Sequence, residues 1–317
     1  MKKNLLIGID LGGTNIAAGL VSESGEVLGK VSIPTSSERG SESIIEGLSE
    51  ACEVLQKEAG FDRADLKAIG IGVPGMMDPD TGIVIFCPNI PIENVDLTAR
   101  LKEQWGVPVF VNNDANCAAL AEAHVGSAKD TSNAICITLG TGVGGGIIID
   151  NKIYSGFNGA AGEVGHLLVQ LDGRQCGCGR KGCWETYASA TGLIKTTREY
   201  MQEHPETAMW ELVGNDLEKV SGRTAFDAMR KGDEGGKAVV DIYIKHLAAG
   251  VIDLINIFQP EVLCVGGGIS NEGDTLLNPL QKLVDEARYT RGVPQTTIKR
   301  ALLGNDAGIV GAAMLGA

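Results

Sequence analysis

The sequence has no apolar run of about 18 residues, the length a membrane-spanning helix needs, and no dense run of Lys and Arg. The first absence means that no membrane span is expected. The second, together with a formal net charge of -13, makes nucleic acid an unexpected partner, because sequence-independent binding rests on basic side chains neutralising phosphates. The start Met1-Lys2-Lys3-Asn4 resembles a signal-peptide n-region only briefly, since Asp10 interrupts the following apolar stretch too early for an h-region. A cytoplasmic protein is expected. A Walker A loop is missing as well: neither Gly29-Lys30 nor Gly236-Lys237 is followed by Ser or Thr.

What is present describes a globular chain. At 317 residues it is long enough for about two domains, and 44% hydrophobic with 21% charged residues suits a folded, water-exposed protein. Of the eight cysteines, Cys52, Cys87, Cys117, Cys136 and Cys264 lie in apolar helical or strand-like contexts and read as small core residues. The other three are clustered, and a reducing compartment fits both uses. The 44 glycines are about twice the usual share. They gather in particular loops, which suggests close approach of backbone to ligands.

Periodicity gives strands over Leu5–Asp10, Ile16–Val21 and, after the turn Ser22-Glu23-Ser24-Gly25, Val27–Ile33. The same order returns later: Ala134–Leu139, a glycine turn at Gly140–Gly145, Gly146–Ile149, the turn Asp150-Asn151, then Lys152–Tyr154. Gly12 and Gly140 align at an offset of 128 residues, a domain-scale repeat that predicts two similar domains. Helices are predicted over Ser41–Lys57, with a capping box at Ser43-x-x-Glu46, and over Asn116–His124 after a strand at Val107–Asn112. Further helices are predicted at Thr186–Glu203, Gly236–Phe258, Leu276–Tyr289 and Ala307–Leu315, with strands at Glu261–Val265 and Thr296–Leu303. Strands alternating with helices place the chain in the α/β class.

Several loops carry chemistry. Asp10-Leu11-Gly12-Gly13-Thr14-Asn15 joins two strands, and its small residues present backbone N–H groups able to cradle phosphate oxygens. Asp10 at the strand end would hold magnesium through water; the competing reading is a tight Gly-Gly hairpin beside a solvated Asp. Gly140-Thr141-Gly142-Val143-Gly144-Gly145-Gly146 is the counterpart in the repeat. It matches G-x-G-x-x-G, as does Gly70-Ile71-Gly72-Val73-Pro74-Gly75, but neither is followed by a helix, so neither is read as a dinucleotide fingerprint. In Asn112-Asn113-Asp114-Ala115-Asn116, Asp114 is either a helix N-cap or a general base at the mouth of a sheet. Asn113 beside it, Asn89 after Pro88, and the Pro74-Gly75 turn would supply the fixed polar contacts a sugar requires, because each hydroxyl left unpaired in a closed site is costly.

The most specific signal is His166-x9-Cys176-x-Cys178-x4-Cys183. A Cys3His set fits four-coordinate zinc, and a site with every position filled by protein is structural. Glu163 and Glu185 flank it. The second ring nitrogen of a zinc-bound His166 would be a fixed N–H donor, with a sugar hydroxyl as its partner.

Taken in order, these residues resemble the ROK family (repressors, open reading frames and sugar kinases), and within it the bacterial glucokinases. The resemblance covers almost the whole chain, through Asp10–Asn15, Pro88-Asn89-Ile90, Asn112–Asn116, Leu139–Gly145, Gly159–His166, the cysteine cluster with Glu185, and Gly266–Gly268. It departs at Cys117, where Ala is more usual, and at Pro91-Ile92-Glu93-Asn94, which lacks a common Gly-Trp. The resemblance implies an actin-like (ribonuclease H-like) duplicated two-domain α/β fold with its active-site cleft between the domains, here residues 1–115 with 305–317, and 116–304. It implies ATP, magnesium and structural zinc as cofactors, and phosphorylation of a hexose, glucose first, at the 6-hydroxyl. Asp114 would be the catalytic base. Gly75, Asn89, Asn113, Asp114, Glu163, His166 and Glu185 would hold the sugar. Asp10, Gly12, Gly13, Thr14, Asn15, Thr141, Gly142, Gly267 and Gly268 would surround the nucleotide. A homodimer or homotetramer is implied. N-acetylmannosamine and fructose are alternative acceptors. A repressor would need an N-terminal helix-turn-helix before Asp10, and a protein-directed ATPase would leave the cysteine cluster and Asn113-Asp114 without a purpose.

Overall fold

Apolar segments flanked by turn residues form the strands of two five-stranded sheets. A computed structural model describes residues 4–78 and 81–317. Met1–Lys3, the start weighed above as a signal segment, lies outside them. The strands are β1 (Leu5–Leu11), β2 (Asn15–Ser22), β3 (Val27–Pro34), β4 (Leu66–Val73), β5 (Met76–Met77), β6 (Ile83–Phe86), β7 (Glu93–Asp96), β8 (Val109–Asn113), β9 (Ala134–Leu139), β10 (Val143–Ile149), β11 (Lys152–Ile153), β12 (Val262–Gly266) and β13 (Thr297–Arg300). The first large sheet runs β3-β2-β1-β4-β8 and the second β11-β10-β9-β12-β13. In each, the third, second, first, fourth and fifth strands of the set lie side by side. That identity of order is the 128-residue repeat made physical, and it is the actin-like, ribonuclease H-like duplication.

In the first sheet β1 pairs antiparallel with β2 and parallel with β4, which pairs parallel with β8. Parallel central strands must be covered on both faces. Accordingly β1 is buried along its length except at Asp10, which is only half-buried.

The helices are α1 (Ser41–Ala59), α2 (Ala99–Trp105), α3 (Asp114–His124), α4 (Glu185–Ala188), α5 (Ala190–Glu203), α6 (Met209–Leu212), α7 (Thr224–Arg230), α8 (Glu234–Phe258), α9 (Asp274–Ala287) and α10 (Ala307–Met314). Three expectations need correction. The Ser43 capping box is absent, because α1 starts at Ser41 with Gly40 as its cap and Ser43 falls inside the helix. The helix expected over Thr186–Glu203 is two helices: Ser189 is extended (φ -77, ψ 169) and its hydroxyl accepts from the Gly192 N–H, so it starts α5 afresh. The strand expected to reach Leu303 ends at Arg300.

The chain divides into two compact units. Unit 1 holds the chain up to Cys136, Gly146–Gly162 and Leu302–Ala317; unit 2 holds Ile137–Gly145 and Glu163–Ala301. In unit 1 the closing helix α10 packs on β1, β4 and α3. This docking uses glycines for backbone-to-backbone approach: a Cβ on Gly70 would lie 1.7 Å from the Ala312 carbonyl oxygen, and one on Gly311 would lie 1.7 Å from that of Cys117. Part of the glycine excess, attributed above to ligand loops, therefore belongs to packing. The five cysteines outside the cluster are all buried. Among the described residues no helix is long and apolar enough to cross a membrane.

Candidate active site and metal centre

In unit 1 the β1–β2 turn is closed by a hydrogen bond from the Gly12 N–H to the Asn15 carbonyl (2.9 Å) and braced by Thr35, whose hydroxyl donates to the Gly12 carbonyl (2.7 Å). Gly13, Thr14 and Asn15 are exposed at its tip. Beneath them the Asp10 carboxyl is wedged against Gly308 at the start of α10, where a Cβ would lie 2.5 Å from Asp10 Oδ2. Burial, and secondarily the negative charge of Asp114, push the Asp10 carboxyl up to about 6. Asp10 is thus half-buried against α10 beneath a tight Gly-Gly hairpin, not fully solvated at its tip.

Asp114 is not the N-cap of α3. That role belongs to Asn113, whose side-chain oxygen accepts from the N–H groups of Ala115 (2.9 Å) and Asn116 (3.2 Å). The Asn113 amide nitrogen donates to the Gly75 carbonyl (3.2 Å), tying the Pro74-Gly75 turn to the start of the helix. Asn112 Oδ1 accepts from the Asn113 N–H (2.8 Å) and from the buried Asn116 amide (3.1 Å). Asp114 thus stands in the first helical turn, half-buried, at the positive end of the helix dipole. Its charge is felt by Asp10 and by two buried thiols, Cys87, pushed up to about 11, and Cys117, pushed well above the ordinary thiol value, chiefly by burial in both cases. Asn89 is exposed in the connection from β6 to β7, with its carbonyl oxygen 3.9 Å from where a Gly13 Cβ would sit.

In unit 2 the ligand atoms of His166, Cys176, Cys178 and Cys183 all lie within 4.8 Å of one another. Cys178 and Cys183 sulfurs are 3.6 Å apart, and Cys176 Sγ is 3.7 Å from His166 Nδ1. Tetrahedral zinc with Zn–S of about 2.3 Å requires sulfur separations of about 3.8 Å, so the four residues fit structural zinc. Nδ1 faces the sulfurs, and Nε2 is 4.0 Å from Glu163 Oε2. The loop holding them turns tightly, with Cys176 N–H donating to the Arg180 carbonyl (2.8 Å), and is anchored by the fully buried Trp184, whose indole N–H donates to the His246 carbonyl in α8 (2.8 Å).

Glu185 joins the metal loop to the second glycine turn. Its Oε1 lies 3.2 Å from Cys176 Sγ, and its Oε2 accepts from the Val143 N–H at 3.4 Å. The turn is also held by α5: the Ala190 N–H donates to the Gly140 carbonyl (2.8 Å) and the Thr191 hydroxyl to that of Thr141 (2.8 Å). Here lies a cavity of about 350 Å³, lined by Thr141, Gly142, Arg174, Glu185, Thr191 and Lys195 among others. Arg174, Thr191 and Lys195 were missed from sequence, because reading α4 and α5 as one helix hid the Ser189 break that aims the α5 N-terminus at Thr141. Gly267 (φ 81) and Gly268 follow β12, exposed, and a Cβ on Gly267 would lie 2.5 Å from the Leu139 carbonyl oxygen. The expected site residues thus fall in both units: Asp10, Gly12–Asn15, Gly75, Asn89, Asn113 and Asp114 in unit 1, and Thr141, Gly142, Glu163, His166, Glu185, Gly267, Gly268 and the cysteines in unit 2.

The ROK family model matches residues 6–317. The chain belongs to the ROK family. Among its relatives, a glucokinase of Thermotoga maritima is 38% identical over 99% of this chain and 98% of its own length. A glucokinase of Streptomyces coelicolor is 40% identical over 98% and 97%. Among solved structures, a ROK family glucokinase of Streptomyces griseus in complex with glucose and AMPPNP superimposes with a TM-score of 0.80 at 37% identity, covering 98% of this chain and 99% of that one.

Proposed function

We propose that this ROK protein transfers the γ-phosphoryl group of ATP to the 6-hydroxyl of glucose. The observation that carries the reading is full-length similarity to glucokinases, joined to a carboxylate at the first turn of α3 beside an asparagine cap. Phosphoryl transfer needs positioning and charge stabilisation more than covalent chemistry. Asp114 accepts the proton of the attacking hydroxyl. Asn89, Asn113, Glu163, His166 and Glu185 orient the sugar, with Gly75 supporting Asn113. The N–H groups of Gly12 to Asn15 and of Thr141 and Gly142 would face the phosphates, Gly267 and Gly268 would line the nucleoside side, and Asp10 would hold magnesium, which would neutralise phosphate charge. His166, Cys176, Cys178 and Cys183 would hold zinc, which would act as a structural ion fixing the ring orientation of His166. Domain boundaries near residues 115 and 305, a homodimer or homotetramer, and a cytoplasmic setting complete the reading.

The test is kcat/KM for a panel of sugars with ATP, alongside ATP hydrolysis without sugar. Glucose is expected to rank first, with little hydrolysis in its absence. N-acetylmannosamine or fructose clearly outranking glucose overturns the choice of acceptor, and sugar-independent turnover overturns the kinase reading.

A further inference from the structure

Glu122 is a carboxylate in the last turn of α3 that is only 2% exposed. Three backbone N–H groups converge on it. Ser127 donates to Oε2 (2.7 Å), and Leu302 and Leu303 both donate to Oε1 (2.8 Å each). The position of the last two is informative. Leu302 is where the chain re-enters unit 1 after the long segment that builds unit 2, and a few residues later it becomes α10. Leu302 is itself exposed and Leu303 half-buried, yet both N–H groups are turned inward onto the buried Glu122 carboxylate, and β13 supplies them no partner, because the strand has ended at Arg300.

The same helix carries Asp114 at its opposite end. The element that begins after Leu303 carries Gly308, against the Asp10 carboxyl, and Gly311, against the Cys117 backbone of α3. The start of α10 is therefore pinned to α3 at one point by Glu122 and at another by the Gly311 contact; Asp114 is carried by α3 itself, and the Asp10 carboxyl, on β1, lies against Gly308 of α10. We propose that Glu122 is a positioning residue for phosphoryl transfer: by clasping residues 302–303 to α3 it sets the placement of α10, and so of the Gly308 backbone that lies against the Asp10 carboxyl, relative to Asp114. It touches neither substrate nor nucleotide in this role, and the proposal rests on Asp114 being the base. Only a carboxylate can accept at both oxygens. A glutamine would turn its amide nitrogen toward either the Ser127 N–H or the Leu302–Leu303 pair, donor against donor.

The experiment compares full-length Glu122→Gln, Glu122→Ala and Asp114→Asn with the parent protein by kcat, KM for glucose, thermal unfolding, and hydrogen exchange at the Leu302 and Leu303 amides. For Glu122→Ala the two amides are expected to lose protection and kcat of the folded enzyme to fall about tenfold to a hundredfold, the scale of a small misplacement of reacting groups. KM for glucose is expected to stay within about twofold, and Glu122→Gln to fall between the two. A merely structural residue would lower the unfolding temperature and leave kcat of the folded enzyme unchanged. That result, or amides still protected in Glu122→Ala, or failure of both Glu122 variants to fold, overturns the proposal. In Asp114→Asn the amides are expected to stay protected while turnover is lost. If turnover persists there, the base assignment falls, and the exchange data still decide whether Glu122 is the clasp.

Discussion

Replacing Asp10 with asparagine is expected to make unit 1 more stable while removing turnover. The carboxyl is pushed from 3.8 up to about 6, chiefly by burial and then by Asp114. A folded-state pKa above the unfolded value means that the folded state favours the neutral form. The group's stabilisation is thus complete below pH 3.8 and lost as the pH rises through about 6. At pH 7.5 the ionised carboxylate costs the fold about 3 kcal/mol relative to a neutral isostere, from a shift of about two pKa units at about 1.4 kcal/mol each. At pH 5 the same linkage leaves about 1.6 kcal/mol. Asparagine keeps the shape and removes the charge, so its advantage over the parent should shrink by roughly half between those pH values. Amide exchange of β1, which reads unit 1 alone, measures the difference, and carboxyl NMR of Asp10 gives its pKa directly, expected to fall in Asp114→Asn. An asparagine variant less stable than the parent at pH 7.5, or an advantage that does not shrink on acidification, would refute the burial argument. Stability gained with activity lost marks a residue held in an unfavourable setting for function.

Asp114→Asn is expected to lower kcat by roughly 10²–10⁴-fold with fold and sugar binding kept, as shown by steady-state kinetics and isothermal titration; near-native kcat removes it from the base role. Elemental analysis should find one zinc per chain, bound by the four converging ligands, and chelation should weaken glucose binding before thermal unfolding shows loss of either unit; an active, metal-free protein refutes the site. Gly311→Ala would put a Cβ 1.7 Å from the Cys117 carbonyl oxygen and is expected to destabilise by about 1–3 kcal/mol or more, read by thermal unfolding; an unchanged midpoint would mean that α10 can shift.

Much of the fold was legible because periodicity and turn chemistry agreed. β9 was bounded to the residue, and β1 to β3 to within one, since each is an apolar run closed by glycine or a polar turn. The cysteine cluster was legible because metal ligands must come at short spacings, and its geometry depends little on the rest of the chain. What escaped was set by tertiary context. The sequence around Asp114 places a capping residue there, but not which of Asn113 and Asp114 it is; the Gly75 carbonyl, 38 positions away in sequence, decides this by engaging the Asn113 amide. The small sheet β5-β6-β7 lies in a segment for which the sequence predicts no strands. Its strands are two to four residues long, too short for alternation to register.

Asp10 and Glu122 show how one side-chain type can be handled in two ways within a single unit. Glu122 is buried with three backbone donors converging on it, at the point where the chain re-enters unit 1. Asp10 is wedged against a glycine, with a second carboxylate close enough to raise its pKa. Burying a carboxylate without converging donors is unfavourable unless a cation arrives. Magnesium entering with the nucleotide would relieve that cost at Asp10 and offer nothing to Glu122. Nucleotide binding should therefore protect β1 amides more at pH 7.5, where Asp10 is ionised, than at pH 5, where much of it is neutral and must first release its proton. Magnesium-ATP protection of β1 that is equal at the two pH values, with the nucleotide saturating at both, would show that Asp10 is not where the cation is felt.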